Sequence, residues 1–135
     1  MYKLRVHEDA DADLEEIANG DPDAAAFLVI FLEELEGDQD LLDRLTQDHY
    51  NVKRGRPVDW VANFNVKVWI EQRDDGRNLW RLQSWDIEAS EYRVVYAFKP
   101  LVRTYVVLGV FHKRQFNYEL NNPLTLRVVA AYENI

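Results

Sequence analysis

Two apolar stretches near the C-terminal end limit the fold more than any other feature of the chain. "EYRVVYAF", residues 91–98, and "RTYVVLGVFH", residues 103–112, are dense in Val and aromatic residues and are separated only by a short turn at Lys99-Pro100. Segments of that composition and length read as strands, and a connection this short joins neighbours that run antiparallel. Residues 92–98 and 104–112 are therefore expected to lie side by side in a sheet. The second strand ends abruptly in His112, Lys113 and Arg114, followed by Phe116 and Tyr118. An apolar strand that delivers three basic side chains to its end is the feature that bears most on function.

The rest of the chain supplies partners for this pair. "YKLRVH" alternates Tyr2, Leu4 and Val6 with Lys3, Arg5 and His7, a half-buried strand pattern. "EDADADLEEIANG" reads as a short helix with acidic residues at its start and Asn19-Gly20 as its stop. Asp21 caps a second helix with Pro22 in its first turn, and Phe27, Leu28, Phe31, Leu32 and Leu35 give that helix one apolar face before Gly37. "DQDLLDRLTQ" adds another turn or two. "HYNVKRGRPVDWVANF" holds Gly55 and Pro57 inside a basic cluster and reads as a loop. "NVKVWIEQ" and "NLWRLQSW" are expected to form a hairpin through Asp75-Gly76. "NNPLTLRVVAAYENI" reads as a terminal helix with Asn122 as cap and Pro123 at its first position. The whole is a single α+β domain over residues 1–135: a small twisted antiparallel sheet, with helices from residues 9–46 on one face and a helix at the end.

Charge divides the chain. Residues 1–50 carry 15 Asp/Glu against 3 Lys/Arg, and residues 51–135 carry 9 against 13, so an acidic half adjoins a locally basic one. The net charge of −8 by itself argues against a nucleic-acid partner; the distribution leaves room for one. With no cysteine, disulfides and thiolate zinc sites are excluded, and His7, His49 and His112 form no recognisable metal set. The N-terminus turns acidic at once, so no signal peptide is visible, and the longest apolar run, Ala24–Leu32, is too short for a bilayer. A cytoplasmic protein with no membrane association, no metal and no cofactor is expected.

"EYRVVYAFKPLVRTYVVLGVFHKRQ" resembles the last two strands of the RelE/ParE toxin superfamily of bacterial toxin–antitoxin systems. The resemblance rests on Tyr92-Arg93 opening one strand and on Gly109, Phe111, Lys113 and Arg114 closing the next. The proline-preceded helix from Asn121 resembles the HigB or Gp49-like branch, and the order of elements is similar along nearly the whole chain. The chain departs from the pattern in its acidity and in the length of the stretch from Arg54 to Arg77.

The resemblance implies a toxin that cleaves mRNA on the ribosome without a metal, held in check by a cognate antitoxin. It implies that Arg93 clamps the phosphate, that Arg114 stabilises transition-state charge with help from Lys113, and that Arg81 stands where relatives carry lysines. His112 is then a candidate for proton transfer and Tyr118 for stacking on a base. Each residue also has a plainer use: Arg93 in a pair with Glu88 or Glu91, His112 as a surface residue, Tyr118 in the core. Lys53, Arg54 and Arg56 form a basic loop able to track a phosphate backbone. Trp60, Trp69, Trp80 and Trp85 suit a core or a partner groove better than base stacking. Two rival functions stay open: a ParE-like inhibitor of DNA gyrase, favoured by the acidic charge, and a non-catalytic interaction domain of the same fold.

Overall fold

The computed structural model describes residues 1–51 and 63–135. Its elements, in chain order, are β1 (Lys3–Val6), α1 (Glu8–Gly20), α2 (Pro22–Glu36), α3 (Gln39–Arg44), β2 (Phe64–Val68), α4 (Ile70–Asp74), β3 (Leu79–Ser84), β4 (Tyr92–Lys99), β5 (Thr104–His112) and α5 (Pro123–Glu133). The sheet order is β1-β5-β4-β3-β2. β2 to β5 form an antiparallel meander, and β4 and β5 are neighbours as their composition requires. β1 joins the outer edge of β5 in parallel, from Lys3 opposite Thr104 to Val6 opposite Val107. The sheet is thus mixed rather than wholly antiparallel. Alternation identifies a strand but not its direction, and here helices separate β1 from the sheet it joins.

Two helix starts follow the caps read from the sequence: Asp21 accepts from Ala24 N at 3.2 Å and Asn122 from Leu124 N at 2.8 Å. Asp38 adds a cap at the start of α3, accepting from Leu41 N at 3.1 Å. His7 adds a cap at the start of α1, its Nδ1 accepting from Asp9 N at 3.0 Å. The strand expected through Gln72 ends instead at Val68, and α4 replaces a tight hairpin. Trp69 is the pivot. It is buried, its N–H reaches Leu79 O at 3.0 Å, and the helical turn closes through Arg77 N to Gln72 O at 2.8 Å.

The two faces of the sheet bury different cores. α1, α2 and α3 cover one face, where Phe31, Leu35 and Leu42 pack on Phe64, Leu82, Val94, Tyr96 and Tyr105. Buried Tyr96 donates its hydroxyl to Leu45 O at 2.7 Å, tying the end of α3 to the sheet. On the other face, Val95, Ala97, Val106 and Leu108 meet Val128 and Ala131 of α5, with Trp69, Phe111 and Phe116 beside them.

Between Val95 and Tyr96 the β4–β5 register shifts, with Gly109 opposite Val95. The Phe111 ring folds back over Gly109, so a Cβ there would stand 2.2 Å from the ring's Cζ. That ring has little freedom to yield. Its centroid lies 4.8 Å from that of Phe116, and the Arg127 guanidinium sits 5.0 Å above it. Gly109→Ala is expected to destabilise the fold by roughly 1–3 kcal/mol through overpacking, read as a lower urea midpoint with an unchanged slope.

Candidate nucleic-acid interface

Alternation along β2, β3 and β4 sends one set of polar side chains to the face that α5 shares. Asn65 and Lys67 come from β2, Arg81 and Gln83 from β3, and Arg93 from β4. Register places Lys67 directly opposite Arg81, Asn65 opposite Gln83, and Arg81 opposite Val95, one alternation from Arg93.

A chain of hydrogen bonds ties these residues together. Arg81 Nη1 donates to Asn65 Oδ1, Asn65 Nδ2 approaches Gln83 Oε1 at 3.5 Å, and Gln83 Nε2 donates to Ser90 O at 2.9 Å. Arg93 Nη1 donates to the same Ser90 O at 2.9 Å and to Tyr92 O at 3.1 Å. Arg93 therefore rests on backbone carbonyls. Neither it nor Arg81 nor Lys67 forms an ion pair with a carboxylate among the described residues. Burial draws the Arg81 guanidinium below the ordinary arginine range; nearby Tyr118 opposes this and the like charge of Arg93 adds to it. Asp48 also acts on Arg81 through space, without an ion pair, so half-buried guanidinium groups that repel each other are further stabilised by an anion from outside.

Two clefts meet at the Lys67–Arg81 pair. One, of about 270 Å³, is lined by Lys67, Trp69, Arg81 and Tyr118 among others. Tyr118 is held at φ 65°, in the left-handed region, with its ring 4.4 Å from Phe116 and edge-on to Trp69 at 5.4 Å. Its hydroxyl and Trp69 Nε1 are buried without a hydrogen-bond partner among the described residues. Burial pushes the Tyr118 hydroxyl above the usual tyrosine range, against the pull of Arg81 and Arg93.

The second cleft, of about 330 Å³, is lined by His49, Tyr50, Asn65, Lys67, Arg81 and Trp85, with their neighbours. His49 also takes a positive φ, 67°. Its N–H donates to Val66 O at 2.9 Å, and its Nε2 lies 3.3 Å from Asp48 Oδ2. Asp48 is itself anchored to β2, its Oδ1 accepting from Val68 N at 2.9 Å. An imidazole in a strained turn, backed by a fixed carboxylate and sharing a cleft with a guanidinium, is a geometry suited to proton transfer.

The basic end of β5 lies elsewhere. His112 stacks edge-on against Tyr92 at 5.2 Å, on the face that α1 covers. Its Nδ1 accepts from Arg114 N at 3.1 Å, and its Nε2 is 3.6 Å from Glu91 Oε2. Lys113 Nζ is 3.2 Å from the same oxygen, and its hydrogen bond holds the Glu91 carboxyl below the usual carboxylate range. Arg114 lines a cleft of about 410 Å³ with Glu16, Asp21, Tyr92 and His112. The structure thus brings Arg81, Arg93 and Tyr118 together and places His112 and Arg114 with the acidic residues of the opposite face. Lys53, Arg54 and Arg56 lie outside the described residues. Lys67 and His49 enter only with the structure: a lone Lys in "NVKV" and a His in a turn give no signal until strand register shows what they face.

Among the described residues, no helix is long and apolar enough to cross a membrane. No protein-family model matches the chain, and no curated protein matches it. Among solved structures, the chain is similar to the toxin–antitoxin complex RelBE2 from Mycobacterium tuberculosis, at 19% identity over 82% of this chain and 96% of that one, with a TM-score of 0.45.

Proposed function

We propose that this chain is a toxin of the RelE type that binds single-stranded RNA on the Lys67–Arg81–Arg93 face and cleaves mRNA on the ribosome, restrained by a protein antitoxin. The observation that carries the reading is the Arg81–Arg93 pair, half-buried, mutually repelling and without an ion-paired carboxylate among the described residues, with Asp48 acting on Arg81 only through space. A phosphodiester supplies the anion that this arrangement lacks, and a planar guanidinium fork fits phosphate oxygens better than a simple ammonium does.

In the proposed reaction a ribose 2′-oxygen attacks the adjacent phosphorus and the bond to the 5′-oxygen breaks, leaving a 2′,3′-cyclic phosphate and a 5′-hydroxyl. His49, held by Asp48, takes the 2′-hydroxyl proton. Arg81, Arg93 and Lys67 hold the charge that grows on the phosphorane oxygens. The leaving 5′-oxygen takes its proton from water, while the Tyr118 ring lines the cleft beside Arg81. His49→Gln is then expected to lower the cleavage rate by about 100-fold with RNA affinity retained, as measured by single-turnover cleavage beside equilibrium binding.

Induced expression separates this function from its rival. New mRNA ends inside translated messages support RNA cleavage. Intact messages with a loss of negative supercoiling point to gyrase, and neither effect points to a non-catalytic interaction domain.

A further inference from the structure

The segment that joins β5 to α5 is anchored at Phe116. That ring is buried, 4.8 Å from Phe111 and 5.3 Å edge-on from Trp69. From residue 117 to residue 121 the chain is tied only to its own neighbourhood. Asn117 Oδ1 accepts from Glu119 N at 3.1 Å and from Asn122 Nδ2 at 3.2 Å, and Asn122 N donates to Glu119 O at 3.1 Å. Among the described residues, no hydrogen bond joins this stretch to the sheet. Asn117, Glu119, Leu120 and Asn121 are exposed, and Tyr118 alone turns inward.

Tyr118 carries two costs in that position. A positive φ is rare for a bulky residue, and its hydroxyl is buried without a hydrogen bond among the described residues. The hydroxyl is near enough to Arg81 and Arg93 to feel both guanidinium charges, yet it bonds to neither. Trp69 Nε1, in the ring edge-on to it, is buried and unpaired as well. Strain and unpaired polar atoms raise the energy of this arrangement. A loop bonded only to itself can leave the sheet as a unit.

What Tyr118 covers gives the movement its purpose. Arg81, Lys67 and Tyr118 line one cleft. A phosphate bonded to both guanidinium groups takes the place beside them that the tyrosine now fills. We infer that residues 117–121 are a lid hinged between Phe116 and Asn122, closed in this structure with Tyr118 beside Arg81 and Arg93, and opened to admit a phosphodiester. What enters rests on the reading of this face as an RNA site; the opening itself does not.

The test places a single fluorotyrosine at position 118 of the full chain and follows its fluorine resonance by NMR. Spectra are taken alone and with a 2′-O-methyl RNA hexamer, whose blocked 2′-oxygen prevents cleavage. The free chain is expected to show a buried resonance in exchange with a solvent-exposed one, and the hexamer to shift the population toward the exposed form. Hexamer affinity of two variants gives the second arm, with urea titration to confirm that each is folded. Tyr118→Phe removes the unpaired hydroxyl, favours the closed lid and is expected to weaken binding about fivefold or more. Tyr118→Gly removes the cover at a position whose φ suits glycine, and is expected to strengthen binding by about the same factor. A direct contact between Tyr118 and RNA would weaken binding in both variants, and a core role would leave the Phe variant unchanged; either pattern overturns the inference. So does a single buried resonance that the bound hexamer does not move. Exchange in a free chain with no affinity for the hexamer upholds the opening and overturns the RNA reading together with the phosphodiester as its cause.

Discussion

Arg81→Ala is expected to lower RNA cleavage by about 100- to 1000-fold, the usual cost of removing one donor placed where transition-state charge develops. Arg93→Ala should act in the same direction. Neither change should unfold the protein. Arg81 is half-buried beside a like charge, so its removal relieves Arg93 and costs mainly the hydrogen bond to Asn65. Arg93 donates only to two carbonyls at the start of β4, which water can satisfy. Arg114→Ala provides the contrast. It belongs to the cleft shared with Glu16 and Asp21, and its loss should change the rate by less than about threefold, since surface charges act weakly at a distance in salt. Single-turnover cleavage by the three variants, each checked for folding by urea titration, measures the ranking.

The largest loss of stability is expected from Asp13→Ala. β1 runs out opposite Val107, so beyond it no strand among the described residues lies on the outer edge of β5, and α1 takes that place. Asp13 Oδ2 accepts from Val110 N at 3.0 Å, satisfying a strand N–H that would otherwise be orphaned. The same carboxylate holds Arg127 in a fork, with Nη1 to Oδ1 at 2.9 Å and Nη2 to Oδ2 at 2.6 Å. One side chain therefore joins α1, β5 and α5. Its removal leaves a part-buried guanidinium without its main partner and a backbone N–H unpaired, which should cost roughly 2–4 kcal/mol, less than a fully buried pair because Arg127 is 32% exposed. Asp13→Asn should fall between, since it keeps the acceptor for Val110 and loses the charge. Urea midpoints of the two variants against the parent check the order.

Much of this architecture is legible in the residues. The caps at Asp21 and Asn122, the Phe27–Leu35 stripe and the β4–β5 hairpin depend on local chemistry, which a sequence states directly. The site depends on register, which it does not. A tight turn at Asp75-Gly76 would set Arg81 opposite Ile70; the helical turn that replaces it sets Arg81 opposite Lys67. The bulge in β5 has a larger consequence. Without the shift between Val95 and Tyr96, His112 would fall on the face of Arg93, as a regular count of the strand suggests. The extra residue reverses the alternation, so that Tyr92 stands opposite His112 and Arg93 opposite Phe111. A single residue of slippage decides which cations can hold one phosphate.

Photocrosslinking of a short single-stranded RNA to the full chain, with the sites located by mass spectrometry, tests the central claim most directly. The account predicts crosslinks at Arg81, Trp85 and Tyr118, lost together in Arg81→Ala and retained in Arg114→Ala. Crosslinks confined to His112–Arg114 and α1, or a pattern indifferent to Arg81, would contradict it.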